Sequence, residues 1–309
     1  MTNSTIRNKN SILKRHHGLT SVKFALSAVE AAITGVEPVK LISKAVSSNK
    51  GRLIVADIRN KTLTYDLTKY DEFFIVGAGK ASVPMAKGLL KVLQKCRNNS
   101  PHISGSVITP YGTSKRIPEL DIVEAGHPLP DANSIKGTKR IVSILRRAKI
   151  SDLVFVLLSG GGSALLSLPV KGITLADKRY VTHSLLSSGA AIQDMNVVRM
   201  HLSQVKGGKL IRFSPLSTTF LTLVISDVIG DEIQTIASGP TFPNSTSFID
   251  AKRILSKYDI WNIDNSHMER IRRIIINGIE VEKNYLQNRF KFHRKTDYAI
   301  IGNNAAACG

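Results

Sequence analysis

The 309 residues carry 43 Lys and Arg against 23 Asp and Glu, a formal net charge of +20, yet 42% are hydrophobic and the mean hydropathy is −0.01. That apolar content suffices to bury a core, so wholesale disorder is excluded, and no apolar run is long enough to span a membrane. Residues 1–18 read as a basic polar tail (Arg7, Lys9, Lys14, Arg15) with no apolar segment behind it, so it is not a secretory signal and a soluble cytosolic protein is expected. Cys96 and Cys308 stand far apart, with no Cys-x-x-Cys pair and no His at ligand spacing, which argues against a disulfide framework and a structural zinc.

Over residues 19–33, Val22, Ala25, Leu26, Val29, Ala32 and Ile33 recur at helical spacing, with Thr20 or Ser21 as cap and Gly35 and Pro38 as stops, predicting an amphipathic helix. Residues 73–76 form a short apolar run ending in Gly77-Ala78-Gly79, and Met85, Leu89 and Leu93 then repeat at helical spacing: strand, glycine turn, helix, with Pro84 tolerated in the first turn. Residues 103–109 and 121–125 read as strands, followed by the Gly126-His127-Pro128 loop and a helix from Ser134. That helix interleaves Lys136, Lys139, Arg140, Arg146, Arg147 and Lys149 with Ile141, Ile144, Leu145 and Ala148, so its cations form a solvated outer face. Aromatics are only 6% and do not alternate with the basic runs, so nucleic acid is not the expected partner; attraction of small anions is a competing use of the field.

Residues 153–158 are continuously apolar, as in a central parallel strand buried on both faces, and 219–225 repeat the pattern. They end in Ser159-Gly160-Gly161-Gly162-Ser163 and in the loop from Ser226 to Asp231. Three buried strands with glycine- or aspartate-bearing loops predict an α/β domain with a mostly parallel sheet, whose loops converge on one cleft outside the carboxyl ends of the strands. Beyond Pro243 the pattern is helical and basic, and 298–302 read as a further strand running into a loop.

Gly77-x-Gly79-Lys80-x-Ser82 is not the common phosphate loop, which has four residues between its first glycine and its Gly-Lys pair. Its glycines can still admit backbone N–H groups to an anion while Lys80 adds a charge; a tight turn with a solvent-facing lysine is the alternative. The triple-glycine loop reads as an N–H nest for phosphate or carboxylate, because a turn alone needs fewer glycines. Asp227 and Asp231 have a spacing suited to Mg²⁺, directly or through water, or to Asx-turn capping. Ser238-Gly239-Pro240-Thr241 reads as a turn, structural unless its amides face the cleft. Arg199, Lys206 and Lys209, near Gly207-Gly208, read as helix-terminal cations on a solvated face, and His127 as a structural loop histidine.

In chain order, VGAGKAS (76–82), AGHPLPD (125–131), SGGGSALL (159–166), VVRMHLSQVKGGKL (197–210) and SDVIGDEIQTIASGPT (226–241) resemble the glycerate 2-kinases of the MOFRL type, or class II glycerate kinases. The resemblance implies a Rossmann-like three-layer α/β/α sandwich over 19–296 and ATP-dependent phosphorylation of D-glycerate at the 2-hydroxyl, with Mg²⁺ as helper ion and a homodimer as the assembly. It implies that Lys80 is catalytic and that Asp227 binds Mg²⁺ or orients the attacking hydroxyl, with Asp231 as a further metal residue. Gly77, Gly79, Ser159, Gly160, Gly161, Gly162, Ser163, Ser238, Gly239 and Thr241 would line the nucleotide and phosphate side, and Arg199 or Lys206 would take the glycerate carboxylate. Residues 297–309 are expected to begin a second, C-terminal domain that closes the cleft in the family, so turnover by the 309-residue chain is expected to be impaired. A non-catalytic nucleotide- or anion-binding domain and a basic nucleic-acid-binding protein are the rival readings. The label hydroxypyruvate reductase, carried by some relatives, fits poorly, because no Gly-x-Gly-x-x-Gly with a downstream ribose-binding acid is present.

Overall fold

The computed structural model describes residues 5–95, 102–285 and 296–305; Cys96 and Cys308 lie outside them. Helices α1 (Lys9–Arg15), α2 (Thr20–Gly35) and α3 (Pro38–Ala45) lead into an antiparallel sheet of β1 (Val46–Asn49), β2 (Arg52–Ala56) and β3 (Thr62–Asp66). Then follow β4 (Glu72–Ala78), α4 (Ser82–Gln94), β5 (His102–Pro110), β6 (Leu120–Ala125), α5 (Ala132–Arg147), β7 (Leu153–Leu158) and the one-turn α6 (Gly162–Leu165). The remainder is α7 (Leu175–Ser187), α8 (Ile192–His201), β8 (Thr219–Ile225), α9 (Phe248–Lys257), α10 (Ser266–Tyr285) and β9 (Thr296–Gly302).

Strands β4 to β9 form a six-stranded sheet in the order β6-β5-β4-β7-β8-β9, with every pairing parallel. The chain enters at the centre on β4, walks out to β6, returns to β7 beside β4, and walks the other way. The β4/β7 boundary is therefore the topological switch point of a doubly wound sheet, where connections diverge and open a crevice at the carboxyl ends of the strands. The expected α/β architecture is the one the chain adopts.

Alternation within β4 shows how the layers are built. Phe73 and Ile75 face a core shared with Ile42, Leu89, Phe155 and the small sheet, whereas Phe74, Val76 and Ala78 face a second core with Ile141 and Leu145 of α5. Phe73 and Phe155 meet edge to face, ring centroids 5.9 Å apart. A third core, around Val181, Val198, Leu255 and Ile271, joins α7 to α10 into a separate helical layer. Capping boxes start three helices: Asp131 with Ser134, Thr174 with Asp177, and Ser247 with Asp250.

Three local expectations differ from the structure. The segment read as a polar tail contains α1. Neither Thr20 nor Ser21 caps α2: the N-cap is Leu19, which makes no side-chain cap bond, and no residue of α2 is buried. Strand β9, expected to open a second domain, pairs in parallel with β8 as the sixth strand of the same sheet. Its apolar residues explain this, because Ala299 and Ile301 enter one core and Ile300 the other. The Ile300 N–H also donates to Asp57 Oδ2 at 2.9 Å, tying β9 to the end of β2.

Candidate active site

The ends of β4 and β7 and the loops that follow them touch at the switch point, and the glycines there are required by that contact. A Cβ on Gly77 would stand 2.2 Å from the Leu157 carbonyl oxygen, and one on Gly79, which has a φ of +147°, would stand 2.1 Å from Ser159 Oγ. The Lys80 N–H donates to the Gly160 carbonyl at 2.9 Å and the Ala81 N–H to Ser159 Oγ at 3.0 Å, so the two turns are latched together. Gly162 N–H closes the triple-glycine turn on Ser159 O at 3.1 Å.

Gly160 and Gly161 admit two side chains from elsewhere. A Cβ on Gly160 would fall 2.2 Å from Asp227 Oδ2, and one on Gly161 would fall 2.7 Å from the His127 ring. Lys80, exposed at this mouth, acts electrostatically on His127: burial first, then the Lys80 ammonium, push the imidazole below its usual value, against the pull of Asp227. Lys80, His127 and Asp227 thus meet over the glycine loop, and His127, taken from the sequence as structural, belongs to the site.

Behind them lies a pocket of about 180 Å³ lined by His127, Ser163, Lys178, Thr182, Arg199 and Lys206 among others, with no Asp or Glu in its lining. Lys206, taken from the sequence as solvated, is 1% exposed, and its Nζ donates to the carbonyl oxygen of Ser163 at 2.8 Å. Lys178 from α7, not singled out in the sequence, is also buried and donates to Ser167 Oγ at 2.9 Å. Arg199 is half-buried on α8. Burial, then the Lys178 and Arg199 charges, hold the Lys206 ammonium well below its ordinary value; burial and then Arg199 lower Lys178 to about 7. Burial lowers Arg199 as well. Lys209, by contrast, donates to the Met200 and Ser203 carbonyls at 2.8 and 2.9 Å and so caps the end of α8.

The turn at 237–239 packs against two lining residues, its Ala237 carbonyl 3.4 Å from Lys206 Nζ and its Ser238 hydroxyl 2.9 Å from that of Ser163. Ala237, Ser238 and Gly239 all have positive φ, at +51°, +59° and +57°. Two left-handed non-glycine residues in succession cost on the order of 1–3 kcal/mol each and persist only where neighbours over-determine them. Here Gly207 N–H donates to Ser238 O at 3.0 Å and Gly208 N–H to Gly239 O at 2.7 Å, so the turn anchors the loop that carries Lys206. Thr241 lies in the interior, its hydroxyl 2.9 Å from that of Thr222. Asp231 accepts from Asn303 Nδ2 at 2.5 Å and is thereby linked to the end of β9, while Asp227 stands exposed beside Gly160.

Among the described residues no group of three or more His, Cys, Asp or Glu is placed to hold a metal ion. A single exposed carboxylate such as Asp227 matches the way Mg²⁺ binds with a nucleotide, through one or two carboxylates and substrate phosphates. No helix among the described residues is long and apolar enough to cross a membrane.

A doubly wound parallel sheet with glycine-bearing loops at its switch point defines a Rossmann-like α/β protein. The chain belongs to the DUF4147 family, described as a domain of unknown function, whose match covers residues 24–272. It is 38% identical to the glycerate 2-kinase of Pyrococcus horikoshii over 292 residues, 93% of this chain and 60% of that one. It is 46% identical over 184 residues to a putative hydroxypyruvate reductase of Agrobacterium vitis, covering 60% of this chain and 46% of the relative. The crystal structure of glycerate kinase from Thermotoga maritima superposes with a TM-score of 0.70 at 34% identity, covering 93% of this chain and 60% of that one. The chain thus spans about half to three-fifths of the length of the relatives it matches.

Proposed function

We propose that this chain binds ATP and D-glycerate and carries the groups for phosphoryl transfer to the glycerate 2-hydroxyl, giving 2-phosphoglycerate and ADP. The observation that carries this reading is the gathering of Lys178, Arg199 and Lys206 in one small pocket without an acid, beside Lys80 and Asp227. A buried lysine either gives up its proton or is paired, so buried Lys178 and Lys206 with half-buried Arg199 and no carboxylate in the lining suit an anionic ligand that would keep them charged. The pocket is small, which suits the carboxylate of a three-carbon acid and leaves the nucleotide to the open crevice above it.

In this reading Arg199 and Lys206 hold the carboxylate, and the glycine loops position phosphate oxygens. Lys80 meets the charge that develops on the migrating γ-phosphoryl group. The glycerate oxygen forms its bond to phosphorus as the bond to ADP breaks, the hydroxyl proton passing to solvent, and catalysis is chiefly positioning and charge stabilisation. Asp227 would hold Mg²⁺, with Asp231 behind it fixing the loop through Asn303. When bound, the ion would neutralise charge on the β- and γ-phosphate oxygens.

A coupled ADP-release assay with ATP, Mg²⁺ and D-glycerate, run beside calorimetric titration of D-glycerate, tests the reading. Saturable D-glycerate binding with glycerate-dependent ADP release is expected. Absence of D-glycerate binding would overturn the assignment; binding with no ADP release would leave an anion-binding domain and remove the kinase.

A further inference from the structure

We propose that Ser163 faces the pocket as an obligate hydrogen-bond acceptor, fixed in that role by Ser238 and Asn196, and thereby selects a 2-hydroxy acid over the matching 2-oxo acid. The proposal rests on the reading of the pocket as a carboxylate site.

The direction of the hydrogen bonds follows from counting protons. Asn196, on α8 and 3% exposed, is oriented with Nδ2 making no hydrogen bond among the described residues and Oδ1, which has only lone pairs to offer, turned to the fully buried Ser238 hydroxyl, which in this amide orientation donates to it at 3.0 Å. A serine hydroxyl has one proton. Ser238 Oγ can therefore meet Ser163 Oγ, 2.9 Å away, only by accepting from it. Ser163 has then given its own proton to Ser238, and what remains on Ser163 Oγ is lone-pair density.

Ser163 lines the same pocket as Lys178, Arg199 and Lys206. Its carbonyl oxygen, which accepts from Lys206 Nζ, fixes the residue against that cation. The strained φ of Ser238 holds its hydroxyl between Asn196 and Ser163, which gives the strain a purpose that a simple turn would lack.

The pocket thus offers cationic donors for a carboxylate and one hydroxyl oxygen with no proton left to give. A ligand hydroxyl next to the carboxylate can donate to Ser163 Oγ. A ketone oxygen in the same place meets lone pair with lone pair, and both groups are left unpaired on desolvation. The relay ends on an amide oxygen, which takes up no proton near neutrality, so Ser163 orients the hydroxyl without removing its proton.

D-glycerate and hydroxypyruvate share a carboxylate, a 3-hydroxyl and a size, and differ at C2. Calorimetric titration of the 309-residue protein with each should show D-glycerate binding about tenfold tighter, the scale of one hydrogen bond. Ser163→Ala should bring the ratio close to one by weakening D-glycerate alone, and Ser163→Thr should restore it. Asn196→Leu leaves the pocket lining intact and should also lower the ratio, because Ser238 is freed to donate to Ser163. A purely structural Asn196 would lower the melting temperature and leave the ratio alone. Equal affinities in the parent protein, or a preference that survives Ser163→Ala, would overturn the proposal while leaving the carboxylate reading intact. If neither acid binds, the carboxylate reading falls and takes the proposal with it.

Discussion

Two regions of this basic chain use their charges in opposite ways. On and just after α5, Lys136, Lys139, Arg140, Arg146, Arg147 and Lys149 are all exposed, and Arg140 pairs with Asp121 at the surface. In the pocket, Lys178 and Lys206 are buried and Arg199 half-buried, with no acid in the lining. The first set is solvated and worth little individually to fold or function. The second was brought out of water without an acid beside it, a cost that shows in the depressed Lys178 and Lys206 ammonium values and that the proposed anionic ligand would offset. The net charge of +20 is thus a poor guide to the site, and the burial of a few charges a good one.

A third cluster marks the limit of that argument, because burial by itself does not imply a ligand. Asp177 is fully buried at the start of α7, yet it accepts from Arg270 Nη2 at 2.7 Å, from His267 Nδ1 at 2.6 Å and from the Thr174 N–H at 2.8 Å. Although burial opposes it, these hydrogen bonds hold the carboxyl below its usual range. Its charge is satisfied within the fold, so it is structural. Asp177→Ala should be the most disruptive of these changes, costing about 1.5–3 kcal/mol, the scale of hydrogen bonds to a charged group, because it removes the carboxylate that accepts from Arg270, His267 and the Thr174 N–H and leaves only the Thr174 half of the capping box. The folded-state pKa is depressed, so the stabilisation is full above the unfolded carboxyl value of about 4 and is lost as pH falls below it. Urea melts at pH 7 and pH 3 check both statements. A variant as stable as its parent at pH 7 would mean that Asp177 is no better paired than the pocket cations.

Lys80 is the intermediate case, a cation exposed at the mouth and held there by backbone latches at Lys80 N–H and Ala81 N–H. Lys80→Ala should leave the melting temperature nearly unchanged and lower turnover by about 10²–10³-fold in an active preparation, as for loss of one preorganised donor to a transition state. Near-normal turnover would place Lys80 with the solvated cations of α5.

Much of this was legible in the sequence, and what was not has a physical reason. Strands β4 to β8 announce themselves as apolar runs with punctuating glycines, and Asp131 and Ser134 cap α5 where the helix was expected. The glycine loops were also visible. The need for Gly160 and Gly161 came instead from the approach of Asp227 and His127, which only the folded chain brings there. Lys178 stands between Asp177 and Arg179, a charged run that reads as a solvated helix face; packing against Ser167 is what buries it. The Asn196-Ser238-Ser163 relay joins residues 42 and 75 positions apart, beyond the reach of any local pattern. Strand β9 could be read as a strand, but its neighbour could not.

The Lys178 ammonium sharpens the comparison through pH. With a value of about 7 in the ligand-free protein, it is charged below pH 7 and neutral above, whereas exposed lysines keep their charge well beyond that. An anion that needs Lys178 charged must supply the proton-binding energy above pH 7. D-glycerate affinity should therefore be greatest near pH 6 and weaken by up to about tenfold per pH unit above 7. Groups facing Lys178 that enter the balance are Arg199, which lowers it electrostatically, Lys206, whose own ammonium is lowered by the Lys178 charge, and Ser167, which accepts its hydrogen bond. Titrations at pH 6, 7.5 and 9 should give this slope for the parent protein and a shallower one for Lys178→Met, in which only Lys206 is left as a depressed ammonium on the carboxylate. A flat profile in both would return Lys178 to a structural role.

The smallest effect is expected where the charge is densest. Lys139→Gln with Arg147→Gln removes two of the exposed α5 cations, neither of which lines the pocket. Exposed substitutions of this kind shift stability by no more than about 0.5 kcal/mol. Any influence on the pocket has to act through the long-range field, which decays over about 8 Å at physiological ionic strength. D-glycerate affinity in 0.15 M salt should therefore change by less than about twofold, and only lower salt should reveal a difference. A loss comparable to that from Arg199→Ala, measured in the same salt, would mean that the surface field and not the pocket trio holds the anion.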